Sequence, residues 1–246
     1  MHTKHTQNEK HIIPFFVGLM DGDGSIQVNH WRKKTLQFRW VIKLKSHPQN
    51  KTMLTLISQV IGGSVREHHG FLYWSENHQR RFYRFIDLMQ KYPPLTKRLQ
   101  CQLLFFVQAL ERRDVTWYLA QRGHKYQQQI AMVSFCGIQD QGRVKKPPVD
   151  YFASWCSGFI EAEGCFCQRE TGWPSFSIAQ KNEYTLLENI RDYFSGTNRI
   201  RKCHHDLYLW EVYKQSVLQN IITHCTTYPL LGEKAVTLKN FSAKKS

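Results

Sequence analysis

Two short stretches of the chain carry paired carboxylates in matching surroundings. GLMDGDG, residues 18–24, holds Asp21 and Asp23; GFIEAEG, residues 158–164, holds Glu161 and Glu163. Carboxylate oxygens are hard donors, well suited to holding a hard cation. Each pair ends an apolar run, IIPFFVGLM or SWCSGFI, that reads as helix. A helix C-terminus carries partial negative charge, so an acid there is disfavoured by about 0.3–1 kcal/mol. Something outside the helix must favour these acids.

The spacing of the two stretches exposes a repeat. Asp21 and Asp23 correspond to Glu161 and Glu163, and Gly18 and Gly24 to Gly158 and Gly164, at an offset of 140 residues. LISQVIGGSV (56–65) is matched by NIRDYFSGTNRI (189–200), and KYPPLTKR (91–98) by TYPLLGEK (227–234). Three landmarks recur in one order, which makes the halves copies of one unit.

The elements that position the acids follow from periodicity. Residues 14–23 read as a helix with Pro14 in its first turn. SIQVNHW and LQFRWVIKLK alternate at period two and read as strands. TMLTLISQVI has helical spacing and stops at Gly62-Gly63. SVREHH and FLYWS read as short strands around His69-Gly70. RRFYRFIDLMQKY and RLQCQLLFFVQAL read as amphipathic helices. The order αββαββα then starts again, with Asp150 as the expected N-cap of YFASWCSGFIEAE. The fold class is α+β, two pseudo-symmetric repeats each with a four-stranded antiparallel sheet. The first repeat spans 1–110 and the second 150–246. Between them, 111–149 reads as a linker with one helical piece, TWYLAQR.

Charge points to an anionic partner. Net charge is +15, and residues 1–110 hold 16 Lys/Arg against 6 Asp/Glu, while residues 151–246 hold 11 against 9. On LQFRWVIKLK, Phe38, Trp40, Ile42 and Leu44 share one face; Gln37, Arg39, Lys43 and Lys45 share the other, with Val41 the exception. Ser25, Gln27 and Asn29 alternate likewise with Ile26 and Val28. No acid occurs between Asp23 and Glu67, so this outward face is basic and amide-rich, as a reader of nucleic-acid grooves needs. No apolar run approaches the roughly 18–20 residues that span a bilayer, and no signal or transit peptide is legible. Seven irregularly spaced cysteines suit a reducing compartment rather than a disulfide framework. Cys165 and Cys167 with His204-His205 lack zinc-site spacing. His68-His69 reads as a strand-turn surface or DNA contact.

FVGLMDGDG and CSGFIEAEG resemble the two copies of the LAGLIDADG motif of homing endonucleases, in the single-chain, two-repeat class. The repeat, the YPPL and YPLL landmarks and the length extend the likeness over the whole chain. The resemblance implies two motif helices packed side by side, with Gly18 and Ser157-Gly158 allowing close approach, and two sheets forming a DNA-binding saddle. It implies that Asp23 and Glu163 hold metal, helped by the carbonyls of Gly22 and Ala162, while Asp21 and Glu161 cap or pack the helix ends. Gly22, where the motif name has Ala, is expected to be harmless. Mg²⁺ is the implied ion, with Mn²⁺ substituting and Ca²⁺ binding without cleavage.

The implied reaction hydrolyses one phosphodiester per strand across the minor groove and leaves 3′ overhangs. Lys234 and Arg98 are placed beside the scissile phosphates, and Gln180 at a strand end of the active site. The expected DNA contacts are Ser25, Gln27, Asn29, Gln37, Arg39, Lys43, Lys45 and Arg66 in the first half. In the second they are Arg169, Ser175, Ser177, Lys181, Arg199, Arg201 and Lys202. A strand of about 10 residues reaches about 33 Å, so two halves cover on the order of 20 base pairs. The enzyme is expected to be monomeric, intron-encoded and organellar, mitochondrial first and chloroplast second. A second reading is an RNA-binding maturase acting on its own intron RNA, with or without cleavage. A third is a transcription regulator on the same scaffold.

Overall fold

The computed structural model describes residues 2–127, 149–168 and 174–243. The first repeat runs α1 (His2–Gly22), β1 (Gly24–Trp31), β2 (Thr35–Lys45), α2 (Pro48–Ile61), β3 (Ser64–His68), β4 (Phe71–Glu76), α3 (Gln79–Lys91) and α4 (Lys97–Arg112), followed by α5 (Val115–Gln121). The second runs α6 (Phe152–Glu163), β5 (Cys165–Gln168), β6 (Pro174–Lys181), α7 (Tyr184–Tyr193), β7 (Arg201–Lys202), β8 (Leu207–Val212), α8 (Gln215–Thr227) and α9 (Glu233–Ala243). The fold is α+β, with two four-stranded antiparallel sheets of order β1-β2-β4-β3 and β5-β6-β8-β7. Each repeat closes on two helices, one more than the αββαββα pattern.

The alternation in β2 fixes which side faces the core. Trp40 and Ile42 are buried, whereas Gln37, Arg39, Lys43 and Lys45 are exposed. Val41 breaks the alternation by being buried as well. Under the first sheet, Trp40 packs edge-on against Phe106, and Phe16 against Trp74 and Phe85. Under the second, Phe176 meets Trp210, which stacks on Phe194. Trp40, Trp74, Trp155 and Trp210 are completely buried. Burying such side chains supplies about 1.5–3 kcal/mol each and anchors the sheets to the helices.

Two local expectations change, and a third is met. Helix α1 begins far upstream of Pro14 and carries that proline in its interior. An internal proline removes one helical hydrogen bond, and the buried run from Phe15 to Met20 offsets the loss. Asp150 is not the cap of α6; the N-cap is Tyr151, which makes no side-chain cap bond. Asp150 sits instead in a turn closed by the Phe152 N–H on the Val149 carbonyl, 3.1 Å. The helical piece expected at TWYLAQR is α5, and it packs on the first repeat. Asp114 caps it, the Tyr118 hydroxyl donates to the Val28 carbonyl at 2.9 Å, and Trp117 stacks on Phe105.

Candidate active site and nucleic-acid face

The centre of the molecule is the crossing of α1 and α6. A Cβ built on Gly18 would lie 2.0 Å from the Trp155 carbonyl oxygen, and one on Gly158 would lie 1.9 Å from that of Phe15. Only glycine allows backbones this close, as small residues do at tight helix crossings. Gly22 is equally constrained: an added Cβ would fall 2.2 Å from the Cβ of Ala162. Gly22, expected to be a harmless variation, is more than tolerated here, because glycine is the residue that this crossing accommodates. With Ala162 opposite, an alanine at 22 does not fit.

The first acid of each motif faces inward. Asp21 is fully buried and accepts from the Leu95 N–H (2.8 Å), the Thr96 N–H (3.0 Å) and hydroxyl (2.5 Å), and the Trp155 indole N–H (2.7 Å). Glu161 accepts from the N–H groups of Gly232 and Lys234, both at 3.0 Å. These carboxylates sit at the N-termini of α4 and α9, where the helix dipole and unpaired N–H groups favour negative charge. Those donors offset the unfavourable ends of α1 and α6. Burial pushes both carboxyls up, and the donated hydrogen bonds oppose it.

The second acids, Asp23 and Glu163, end the two helices side by side. Burial and the neighbouring negative charge of Glu163 push the Asp23 carboxyl up to about 6. Burial also raises Glu163, against Lys234, a hydrogen bond from Gln180, and Arg98. The structure thus brings Asp23, Glu163, Lys234, Arg98 and Gln180 together. Lys234 is lowered by burial and raised by Glu161, Asp23 and Glu163. Its ammonium donates to the carbonyls of Ala162 (2.6 Å) and Ile160 (3.3 Å). The Arg98 guanidinium donates to the carbonyls of Gly24 (2.7 Å), Asp21 (2.7 Å), Gly22 (3.0 Å) and Met20 (3.2 Å). Both bases therefore satisfy the open carbonyls at a helix C-terminus and place positive charge beside the acids.

The donor set fits a hard divalent cation. Two neighbouring carboxylates repel one another, and the Gly22 and Ala162 carbonyls each keep a second lone pair beyond the one used by Arg98 or Lys234. Among the described residues no group of three His, Cys, Asp or Glu could hold a metal alone. Cys165, Cys167, His204 and His205 thus form no such group. Two carboxylates and two carbonyls leave room for waters and phosphate oxygens around a hard divalent cation. A cleft of about 310 Å³ opens beside the pair, lined by Asp23, Lys45, Asn50, Cys165, Glu233 and Lys234 among others.

The expected DNA contacts fall into three groups. Asn29, Gln37, Arg39, Lys43, Lys45, Arg66, Lys181 and Arg199 are exposed, and Ser25, Gln27 and Ser177 are partly so. Arg201 and Lys202 are exposed but already paired, with Glu211 at 2.6 Å and Asp206 at 2.7 Å. Ser175 is corrected: alternation points it outward, yet it is only 4% exposed, while Ser177 on the same face of β6 is partly open. Arg169 lies outside the described residues. Trp155 was missed by sequence reasoning; its helical spacing reads as core, and nothing local announces the bond to Asp21.

The family model described as LAGLIDADG endonuclease matches residues 16–108 and 156–243. A "Probable intron-encoded endonuclease aI3" of Dictyostelium citrinum is 42% identical over 236 residues, covering 94% of this chain and 93% of that protein. One of the same name from Debaryomyces hansenii is 38% identical over 94% of this chain, which spans only 38% of that longer protein. Among solved structures, the I-SmaMI LAGLIDADG homing endonuclease bound to cleaved DNA superposes with a TM-score of 0.71 at 18% identity, covering 94% of this chain and 87% of that one.

Proposed function

Because the chain belongs to the LAGLIDADG endonuclease family, we propose that it is a site-specific endonuclease cutting both strands of a DNA duplex, with Asp23 and Glu163 as its metal-holding carboxylates. One observation carries this reading: two acids from different repeats end side by side, with Lys234 and Arg98 against them and a basic sheet face nearby. Two carboxylates about a pseudo-two-fold axis suit the two antiparallel strands of a duplex.

A divalent cation held by Asp23 and Glu163 would lower the pKa of an attacking water and stabilise the departing 3′ oxygen. Lys234 and Arg98 keep positive charge where the phosphate gains negative charge during attack. Arg98 serves as a fixed charge that does not exchange its proton. Gln180 holds the Glu163 carboxylate by a hydrogen bond and so fixes its direction. The outward faces of β1, β2, β6 and the β7–β8 hairpin grip the duplex, through Arg39, Lys43 and Lys45 and, once their partners are exchanged for phosphates, Arg201 and Lys202. The site is about 20 base pairs, at about 3.4 Å each, and the cut crosses the minor groove with 3′ overhangs. One chain holds both half-sites, so a monomer suffices. The relatives' names support an intron origin, and the family resemblance adds action inside an organelle, a mitochondrion first.

The test starts from a duplex selected by cleavage from a randomised library in Mg²⁺, with Ca²⁺ as the binding control. Asp23→Asn and Glu163→Gln are expected to abolish double-strand cleavage while binding in Ca²⁺ persists. Full-rate cleavage by either variant refutes the metal assignment. Affinity is expected to fall steeply and linearly in log K against log salt, as phosphate contacts release counterions. A flat plot refutes the basic face as the binding surface.

A further inference from the structure

The helices that carry Arg98 and Lys234 begin where the two repeats touch. Lys97 is the first residue of α4, and its N–H donates to the Glu183 carboxylate at 2.5 Å. Glu183 belongs to the other repeat, as the N-cap of α7 just after β6. Glu233 is the first residue of α9, and its N–H donates to the Asn50 side-chain oxygen at 2.9 Å. Asn50 belongs to the first repeat, in the opening turn of α2 just after β2. Its amide also donates to the Lys45 carbonyl at 3.2 Å. Glu183 and Asn50 are 4% and 6% exposed, so neither is an ordinary surface polar group.

Each helix start thus has an acceptor from each repeat, and α4 has its N-cap Thr96 hydroxyl besides, which accepts from the Leu99 N–H at 3.3 Å. The acceptor from its own repeat is Asp21 for α4 and Glu161 for α9; the one from across is Glu183 for α4 and Asn50 for α9. Opening N–H groups of a helix have no partner within it, so these acceptors fix where the helix begins. The next residue in each case is the basic group: Arg98 after Lys97, Lys234 after Glu233. A side chain that anchors the helix start therefore governs where the positive head stands against Asp23 and Glu163.

We propose that Glu183 and Asn50 are crossed positioning residues, each holding, from one repeat, the helix that carries the basic group of the other repeat's half-site. This rests on the endonuclease reading above. Its consequence is selective: disturbing Glu183 disturbs the half-site with Arg98, and disturbing Asn50 disturbs the one with Lys234. The two half-sites serve opposite strands. Displacing a group by about 1 Å near a reacting centre costs on the order of a hundredfold in rate.

The experiment is single-turnover cleavage in Mg²⁺ of the library-selected duplex, labelled in turn on each strand. Glu183→Asp retracts the carboxylate by one methylene and stays polar; it is expected to slow one strand about tenfold or more relative to the other, so that nicked duplex accumulates. Glu183→Gln, which keeps the reach of the acceptor oxygen, is expected to restore most of that strand's rate. Asn50→Ala is expected to slow the opposite strand. Melting temperatures are measured alongside, and a variant that does not fold is replaced by the milder Asn50→Ser or by the Glu183 pair alone. Equal slowing of both strands by each variant, or slowing of the same strand by both, overturns the proposal while leaving the nuclease reading intact. If the unaltered chain cuts no library member, the nuclease reading falls and the proposal falls with it.

Discussion

Replacing Gly158 by alanine tests the idea that backbone contact at the helix crossing holds the active site together. The added Cβ would lie 1.9 Å from the Phe15 carbonyl oxygen and 2.9 Å from the Leu19 nitrogen, against the 3.4 Å at which ordinary contact starts. The deficit of 1.5 Å falls on the backbone of α1, which has no rotamer to change. Relief requires the two helices to separate, and separation thins the packing of Phe15, Leu19, Trp155 and Phe159, all completely buried. Overpacking a well-filled core costs about 1–3 kcal/mol, and a clash on backbone belongs at the upper end or above. A loss of about 3 kcal/mol lowers the melting temperature by about 6–12 °C in a chain of this size. Asp23 and Glu163 lie five residues beyond the two glycines on their helices, so cleavage should fall even at temperatures where the variant is folded. Gly123→Ala is the control, since a Cβ there meets nothing within 4 Å. Gly18→Ala should behave like Gly158→Ala, and the double variant should lose less than the sum, because one separation relieves both clashes. A Gly158→Ala melting temperature within about 2 °C of the parent, less than about 1 kcal/mol, refutes the reasoning, as would full additivity.

Three further outcomes follow from the same geometry. Gly22→Ala should cost about 1–3 kcal/mol in urea unfolding, and Ala162→Gly in the same chain should recover most of it, because the added Cβ meets the Cβ of Ala162 at 2.2 Å; no recovery refutes the pairing. Asp21→Asn should cost about 3 kcal/mol or more, since an amide turns one donor toward a site whose four hydrogen bonds are all donated to the carboxylate; an unfolding midpoint equal to the parent's refutes that role. Burial holds His224 down at about 4, with His11 adding to the effect, and its ring lies 3.1 Å from both the Ser157 and Tyr193 hydroxyls. The folded chain then binds fewer protons than the unfolded one below pH about 6.5, so stability is full above that pH and falls toward pH 4 by up to about 3 kcal/mol. His224→Gln should remove this component, and an unchanged slope of stability against pH between those limits would count against it.

What was legible in the sequence was local or periodic. The acids and strand β2 announce themselves through spacing within about a dozen residues, the scale of periodic patterns, and the repeat through likeness at an offset of 140 residues. The alternation of Arg39, Lys43 and Lys45 with Trp40 and Ile42 assigned the faces of the sheet correctly. Partners far away in the chain were not legible. Asp21 finds its donors at Leu95 and Thr96, more than 70 residues on, and at Trp155 in the other repeat. Arg98 could be assigned as a basic group near the acids, but not as a clasp over four carbonyls, because that depends on where α4 starts against α1. Ser175 and Pro14 show the limits of rules taken one residue at a time. Alternation assigns a face but not the exposure of each residue on it, and a preference for first turns yields to a helix whose packed face outweighs one lost hydrogen bond.

The glycine crossing also has a bearing on ancestry and assembly. A Cβ on Gly18 would strike Trp155 and Phe159, and one on Gly158 would in mirror fashion strike Phe15 and Leu19. This is the reciprocity of an isologous contact, in which the same patch serves both partners, as it does between identical subunits of a two-fold dimer. The chain therefore carries within itself the interface of a dimer, fused end to end. What distinguishes it from a true dimer is the loss of identity between the halves, a carboxylate crossing in one direction and an amide in the other. Once fused, each half is free to diverge against a fixed partner, and an asymmetric target becomes accessible to a symmetric architecture.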